Sequence, residues 1–85
     1  SSISGFSLSH VYVFKVQNVT TFEQAKQTIE EFRAILKIKA MSFNDATDEF
    51  TLSNETYELN MEDMQEDLAL YGIYLDGTYQ YFIEG

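Results

Sequence analysis

The chain has 85 residues, a net charge of −9, 45 % hydrophobic and 15 % aromatic content, and no cysteine, proline or tryptophan. That length supports one small domain with one core, and the apolar content is too high for a disordered segment. The lack of cysteine excludes disulfides and thiolate metal sites but assigns no compartment. The charge is unevenly placed: all five basic residues (Lys15, Lys26, Arg33, Lys37, Lys39) precede residue 40, whereas eleven of the fourteen acids follow Lys39. The plain reading is solubilising charge; the sharper one is an acidic face for a basic partner or a contact between subunits. Nucleic acid and anionic membrane surfaces both require clustered positive charge, so neither is an expected partner. No apolar run reaches the roughly 18–20 residues of a membrane span, and no secretory signal pattern is visible.

Residues 1–9 are Ser-rich with apolar residues at Ile3, Phe6 and Leu8, which fits a linker, an edge strand or a tail laid across a sheet. His10 to Val16 is β-branched and aromatic on both faces, so the pattern predicts a strand covered on both sides or covered by a partner. Thr20 and Glu23 fit a capping box that opens a helix. Phe22, Ala25, Ile29, Phe32 and Leu36 then form one apolar stripe at helical spacing. Ile38 to Phe43 reads as a second strand, Asn44 to Asp48 as a turn, and Glu49 to Ser53 as a third strand.

A second helix starts at Asn60, a good N-cap, with Leu59 and Met64 spaced as a hydrophobic staple. Its stripe is Met61, Met64, Leu68 and Tyr71, and Gly72 is placed to end it in a left-handed conformation. Ile73 to Leu75 reads as a short strand, Asp76-Gly77 as a hairpin turn, and Tyr79 to Ile83 as the returning strand. The order predicts an α+β, ferredoxin-like βαββαβ sandwich over residues 10–85. Two helices would lie on one face of an antiparallel sheet, with an extra C-terminal hairpin strand and the other face open.

From about Val11 to Leu75 the spacing resembles a heavy-metal-associated domain of the kind found in copper chaperones and metal-pumping ATPases. The resemblance lies in the Val11–Val16 strand, the Asn18-Val19-Thr20 approach, Ile29 and Phe32 on the helix, the Phe50–Leu52 strand, and Met61 to Met64 leading to Tyr71-Gly72-Ile73-Tyr74. The family's two cysteines would fall at Thr21 and Gln24, or one residue either way, and no placement gives a thiol. The resemblance therefore implies the fold without the thiolate chemistry that holds soft metals.

Met61, Met64 and His10 are the remaining weak metal candidates. Both methionines lie on the apolar stripe, where core packing explains them, and a lone histidine is ordinarily structural. In this topology the second helix starts near the His10 end of the first strand, away from the family's metal loop. Asn44, Asp45, Asp48 and Glu49 form an oxygen-rich turn without the spacing of a calcium loop. Glu62, Asp63, Glu66 and Asp67 suit a solvated, acidic helix start. No nucleophile–base set and no Gly-rich phosphate loop can be assembled, so no cofactor and no enzymatic activity are expected.

The surplus of aromatic residues on strands is the main lead. Tyr12, Phe14, Tyr79, Tyr81 and Phe82 are the candidate interaction residues, with Tyr79, Tyr81 and Ile83 on one face and Phe82 on the other. The expected function is a non-enzymatic binding module that associates with a protein partner, or as a homodimer, through the open sheet face or the last strand. A small-molecule sensor of the ACT type, or a metal carrier with non-cysteine ligands, are the alternatives on the same fold.

Overall fold

A computed structural model of the chain describes residues 8–38, 40–54 and 58–84. Ser9–Val16 forms β1, Phe22–Leu36 α1, Ala40–Asn44 β2, Glu49–Asn54 β3, Met61–Ala69 α2 and Leu75–Glu84 β4. The strands make one antiparallel sheet in the order β2-β3-β1-β4. Each helix links two strands separated by a third, and the resulting α+β sandwich is consistent with the ferredoxin-like type. Of the Ser-rich segment, only Leu8 and Ser9 lie within the described residues, and Ser9 already belongs to β1.

Strand alternation sends Tyr12, Phe14 and Val16 of β1 into the core, opposite Leu52 and Phe50 of β3. Met41 and Phe43 of β2 continue that row. Phe50 is the hub, with ring centroids 5.8 Å from Phe14, 6.2 Å from Phe32 and 4.8 Å from Phe43. Such offset aromatic pairs add about 0.5–1.5 kcal/mol each beyond burial. The opposite face carries Val11 and Val13 beside Ser53, Thr51, Phe82 and Gln80, and there Val11 is buried outside the main core.

Four expectations from local pattern are corrected. First, the N-cap of α1 is Thr21, not Thr20: its side chain accepts the Gln24 N–H at 3.2 Å. The Gln24 carboxamide oxygen turns back to accept from the Thr20 N–H (2.9 Å) and hydroxyl (3.0 Å). The box is one residue later than the Thr20–Glu23 spacing implied, because Gln24, not Glu23, reaches the free N–H groups. Second, Phe22 and Tyr71, placed on the two helix stripes, are exposed. Phe22 lies in the first turn of α1 under the Lys26 ammonium, 5.4 Å from its ring centroid. Tyr71 lies beyond the last turn of α2, immediately before Gly72 (φ 77°) turns the chain.

Third, Ile38 packs in the core ahead of β2, which begins at Ala40. Lys37 at φ 54° closes α1 and swings Ile38 inward. Fourth, no hairpin forms at Asp76-Gly77. Leu75 to Glu84 is one ten-residue strand, and the sheet has four strands among the described residues. Its register with β1 jumps between Val13↔Gln80 and Lys15↔Asp76, so the positive φ of Gly77 (79°) serves a bulge.

The second helix matches its sequence signals. Asn60 Oδ1 accepts from the N–H groups of Glu62 (2.9 Å) and Asp63 (3.3 Å). At the other end Ile73 N–H bonds Leu68 O and Gly72 N–H bonds Ala69 O, both at 3.0 Å, forming a Schellman motif. Met61, Met64 and Leu68 point into the core. No helix among the described residues is long and apolar enough to cross a membrane.

Candidate functional site

The corner where the start of α2 meets β4 gathers most of the unusual chemistry. Tyr12 reaches it from the central strand β1, almost fully buried, and its hydroxyl holds both backbone groups of Leu59. It accepts the Leu59 N–H at 2.7 Å and donates to the Leu59 carbonyl at 3.2 Å. A single side chain thereby fixes the segment that leads into the Asn60 cap. Tyr81 and Tyr79, on the same face of β4, pack against Tyr12 with centroids 4.9 Å and 6.4 Å away.

Tyr81 also meets His10, with ring planes 8° apart and centroids 6.0 Å apart, and its hydroxyl lies 2.7 Å from His10 Nδ1. Partial burial, then hydrogen bonding to the Glu58 carboxylate and its charge, raise the Tyr81 hydroxyl above the usual tyrosine range. Burial, with a further push from Glu58, likewise raises Tyr12.

Between α2 and β4 lies a cavity of about 380 Å³ lined by Tyr12, Tyr79 and Tyr81 together with Glu58, Asn60, Met61 and Glu62. A second of about 380 Å³ continues along β4 and shares Met61, Glu62 and Tyr79 with the first. The two form one groove, aromatic and acidic at the Glu58 end and more apolar toward Leu75 and Gly77. Gln65 closes the far end, donating to Ile73 O at 3.1 Å and accepting from Leu75 N–H at 2.6 Å. The groove exists because the nine residues of α2 turn Met61, Met64 and Leu68 into the core and leave residues 79–84 of β4 exposed.

β4 is also a sheet edge among the described residues. Tyr79, Tyr81, Phe82 and Ile83 on it are between 37 % and 53 % exposed. The other edge, β2, has five residues with exposed Ala40, Ser42 and Asn44. A short polar edge is poorly suited to pairing, whereas a long edge bearing large apolar side chains is well suited to it.

The structure splits the five interaction candidates. Tyr12 and Phe14 are core residues on an interior strand and cannot form a contact surface of their own. Tyr12 still contributes a wall of the groove. Tyr79, Tyr81 and Phe82 are exposed, on opposite faces of β4 as the alternation required. Of the weak metal candidates, Met64 is sealed in the core and Met61 lines the groove from a buried position. His10 is engaged by Tyr81. No group of three or more His, Cys, Asp or Glu side chains is disposed to hold a metal ion among the described residues. Thr20, Thr21 and Gln24, at the start of α1, are joined through the Gln24 side chain and backbone as a helix cap. Glu58 and the Leu59 backbone were not singled out from sequence, and Glu62 was read there only as part of a solvated, acidic helix start; nearness to the Asn60 cap was the one signal for a site.

None of the protein-family models, curated proteins or solved structures compared with the chain matches it.

Proposed function

We propose that this domain is a non-enzymatic protein-interaction module that takes up an extended segment of another protein as a fifth strand on β4. One observation carries this: β4 is a ten-residue edge strand whose outer half presents Tyr79, Tyr81, Phe82 and Ile83 to solvent. In β-augmentation the main-chain ladder supplies affinity and alternate side chains supply specificity. Here the two faces of the added strand would meet different surroundings, the α2 groove on one side and Phe82 with Val11 on the other. The Gly77 bulge twists the first part of β4 and confines pairing to residues 79–84. Self-pairing of β4 is less favoured because each copy carries a charge of −9.

The test is a random heptapeptide array probed with the purified domain, followed by N-methyl scanning of the selected peptides. Bound peptides should alternate apolar residues and should lose binding when an alternate backbone N–H is methylated. Peptides that tolerate methylation at every position, or no captured peptide at all, refute strand addition. Stabilisation by free amino acids, with the array blank, would favour the ACT-like alternative.

A further inference from the structure

The groove beside β4 has a chemistry that strand pairing alone does not use. At its Glu58 end three tyrosine rings converge, with Tyr12 central and 4.9 Å and 6.4 Å from Tyr81 and Tyr79. Two exposed carboxylates, Glu58 and Glu62, line the same cavity of about 380 Å³. No lysine or arginine follows Lys39 in the sequence, so the segments that build the α2 and β4 walls carry no cation of their own. Even with the Tyr81 hydroxyl beside it, the Glu58 carboxylate, with about four lone-pair sites, retains capacity for further donors.

Aromatic faces with adjacent carboxylates are complementary to a cation, and most of all to a planar guanidinium that can stack and form a paired hydrogen bond together. An anion at the α2 N-terminus is disfavoured here. The Glu62 and Asp63 N–H groups are already taken by Asn60, and the first turn itself bears Glu62 and Asp63. The apolar continuation past Met61 and Leu75 suits the methylene stem or a neighbouring apolar side chain.

We infer that the pocket formed by Tyr79 and Tyr81 over the buried Tyr12, with Glu58 and Glu62, receives the guanidinium of an arginine carried by the strand that pairs with β4. The inference rests on the strand-addition reading and adds to it the partner's chemistry: a basic segment, selected by charge as well as by backbone. Side chains on the helix face of an added strand lie beside Tyr79 and Tyr81, so an arginine there has the reach to enter the pocket from the edge.

The test uses acetylated, amidated heptapeptides of alternating Thr and Val with arginine at position 3 or 4, matched to peptides with citrulline at the same place. Calorimetry gives affinity and amide shifts report where each peptide binds. One arginine peptide should bind at least about tenfold more tightly than its citrulline match. In the Glu58→Gln, Glu62→Gln double variant that ratio should fall to within about twofold, while β4 amide shifts persist. Equal affinities, or an arginine preference that survives in the double variant, overturn the cation pocket and leave strand addition standing if β4 amides still shift. Arginine amide binding as tightly as the peptide overturns the strand-borne origin of the cation. Absence of binding by every peptide overturns both proposals.

Discussion

Removing one oxygen atom from Tyr12 should loosen the corner that builds the groove. The hydroxyl of this buried side chain is both acceptor for the Leu59 N–H (2.7 Å) and donor to the Leu59 carbonyl (3.2 Å). Tyr12→Phe preserves the ring contacts and deletes both bonds. Each contributes about 0.5–1.5 kcal/mol net, and Leu59 is only half-buried, so its freed groups recover some hydration. The expected loss is about 1–2 kcal/mol, which for a domain of this size lowers Tm by about 4–16 °C. Tyr71→Phe, an exposed control, should change stability by less than about 0.5 kcal/mol.

The same substitution has a pH signature. Burial raises the folded-state pKa of Tyr12 above its ordinary 10.0. A raised pKa means the folded state holds the proton more tightly. Its contribution is therefore fully present below pH 10.0 and is lost as pH rises through the folded value. Thermal melts followed by far-ultraviolet circular dichroism from pH 7 to 11 should show wild type losing stability at the alkaline end more steeply than Tyr12→Phe. A Tm shift under about 2 °C at neutral pH, or parallel alkaline curves, would refute the assigned role of this hydroxyl.

Three further outcomes are expected. Phe50→Ala, at the fully buried hub of four phenylalanines, should cost about 3–5 kcal/mol in urea unfolding, whereas Phe22→Ala should be near neutral; similar costs for the two would contradict the core described. Gly77→Ala should destabilise by about 1–2 kcal/mol through backbone conformation alone, since a Cβ there meets nothing within 4 Å; a neutral result by the same assay would mean that the bulge is not required. Asn60→Ala should cost about 1 kcal/mol by removing the cap from two N–H groups, and amide exchange of Glu62 and Asp63 should accelerate; unchanged protection at both would discount the cap.

Much of the fold was readable as local code. Asn60 and the Leu59–Met64 spacing marked α2, Gly72 marked its end, and the alternation of residues 79–83 assigned Phe82 to the face opposite Tyr79 and Tyr81. Each signal acts within about one helical turn or along one strand, so one segment's sequence contains all the information required. The cap at Thr20–Thr21 shows the limit of that code, because two adjacent threonines offer the same hydroxyl and only the reach of Gln24 separates them.

Local pattern thus carried both helices, the first three strands and the alternation of the last, but misplaced the ends of the helix stripes and added a hairpin. Contacts between distant segments set the remainder. Asp76-Gly77 supplies a residue at positive φ that a hairpin and a bulge both need. The bulge wins because β1 is eight residues long and offers β4 a ladder along its whole length. Tyr12 and Tyr81 are the same residue type on neighbouring strands, yet one is core and the other surface. Burial follows from strand order, in which β1 lies inside the sheet and β4 at its edge, and that order is set by contacts between residues 59–75 positions apart in the chain. The groove exists for the same reason: the nine-residue α2 meets the first part of β4, where Gln65 bonds Leu75, and leaves residues 79–84 of the edge exposed.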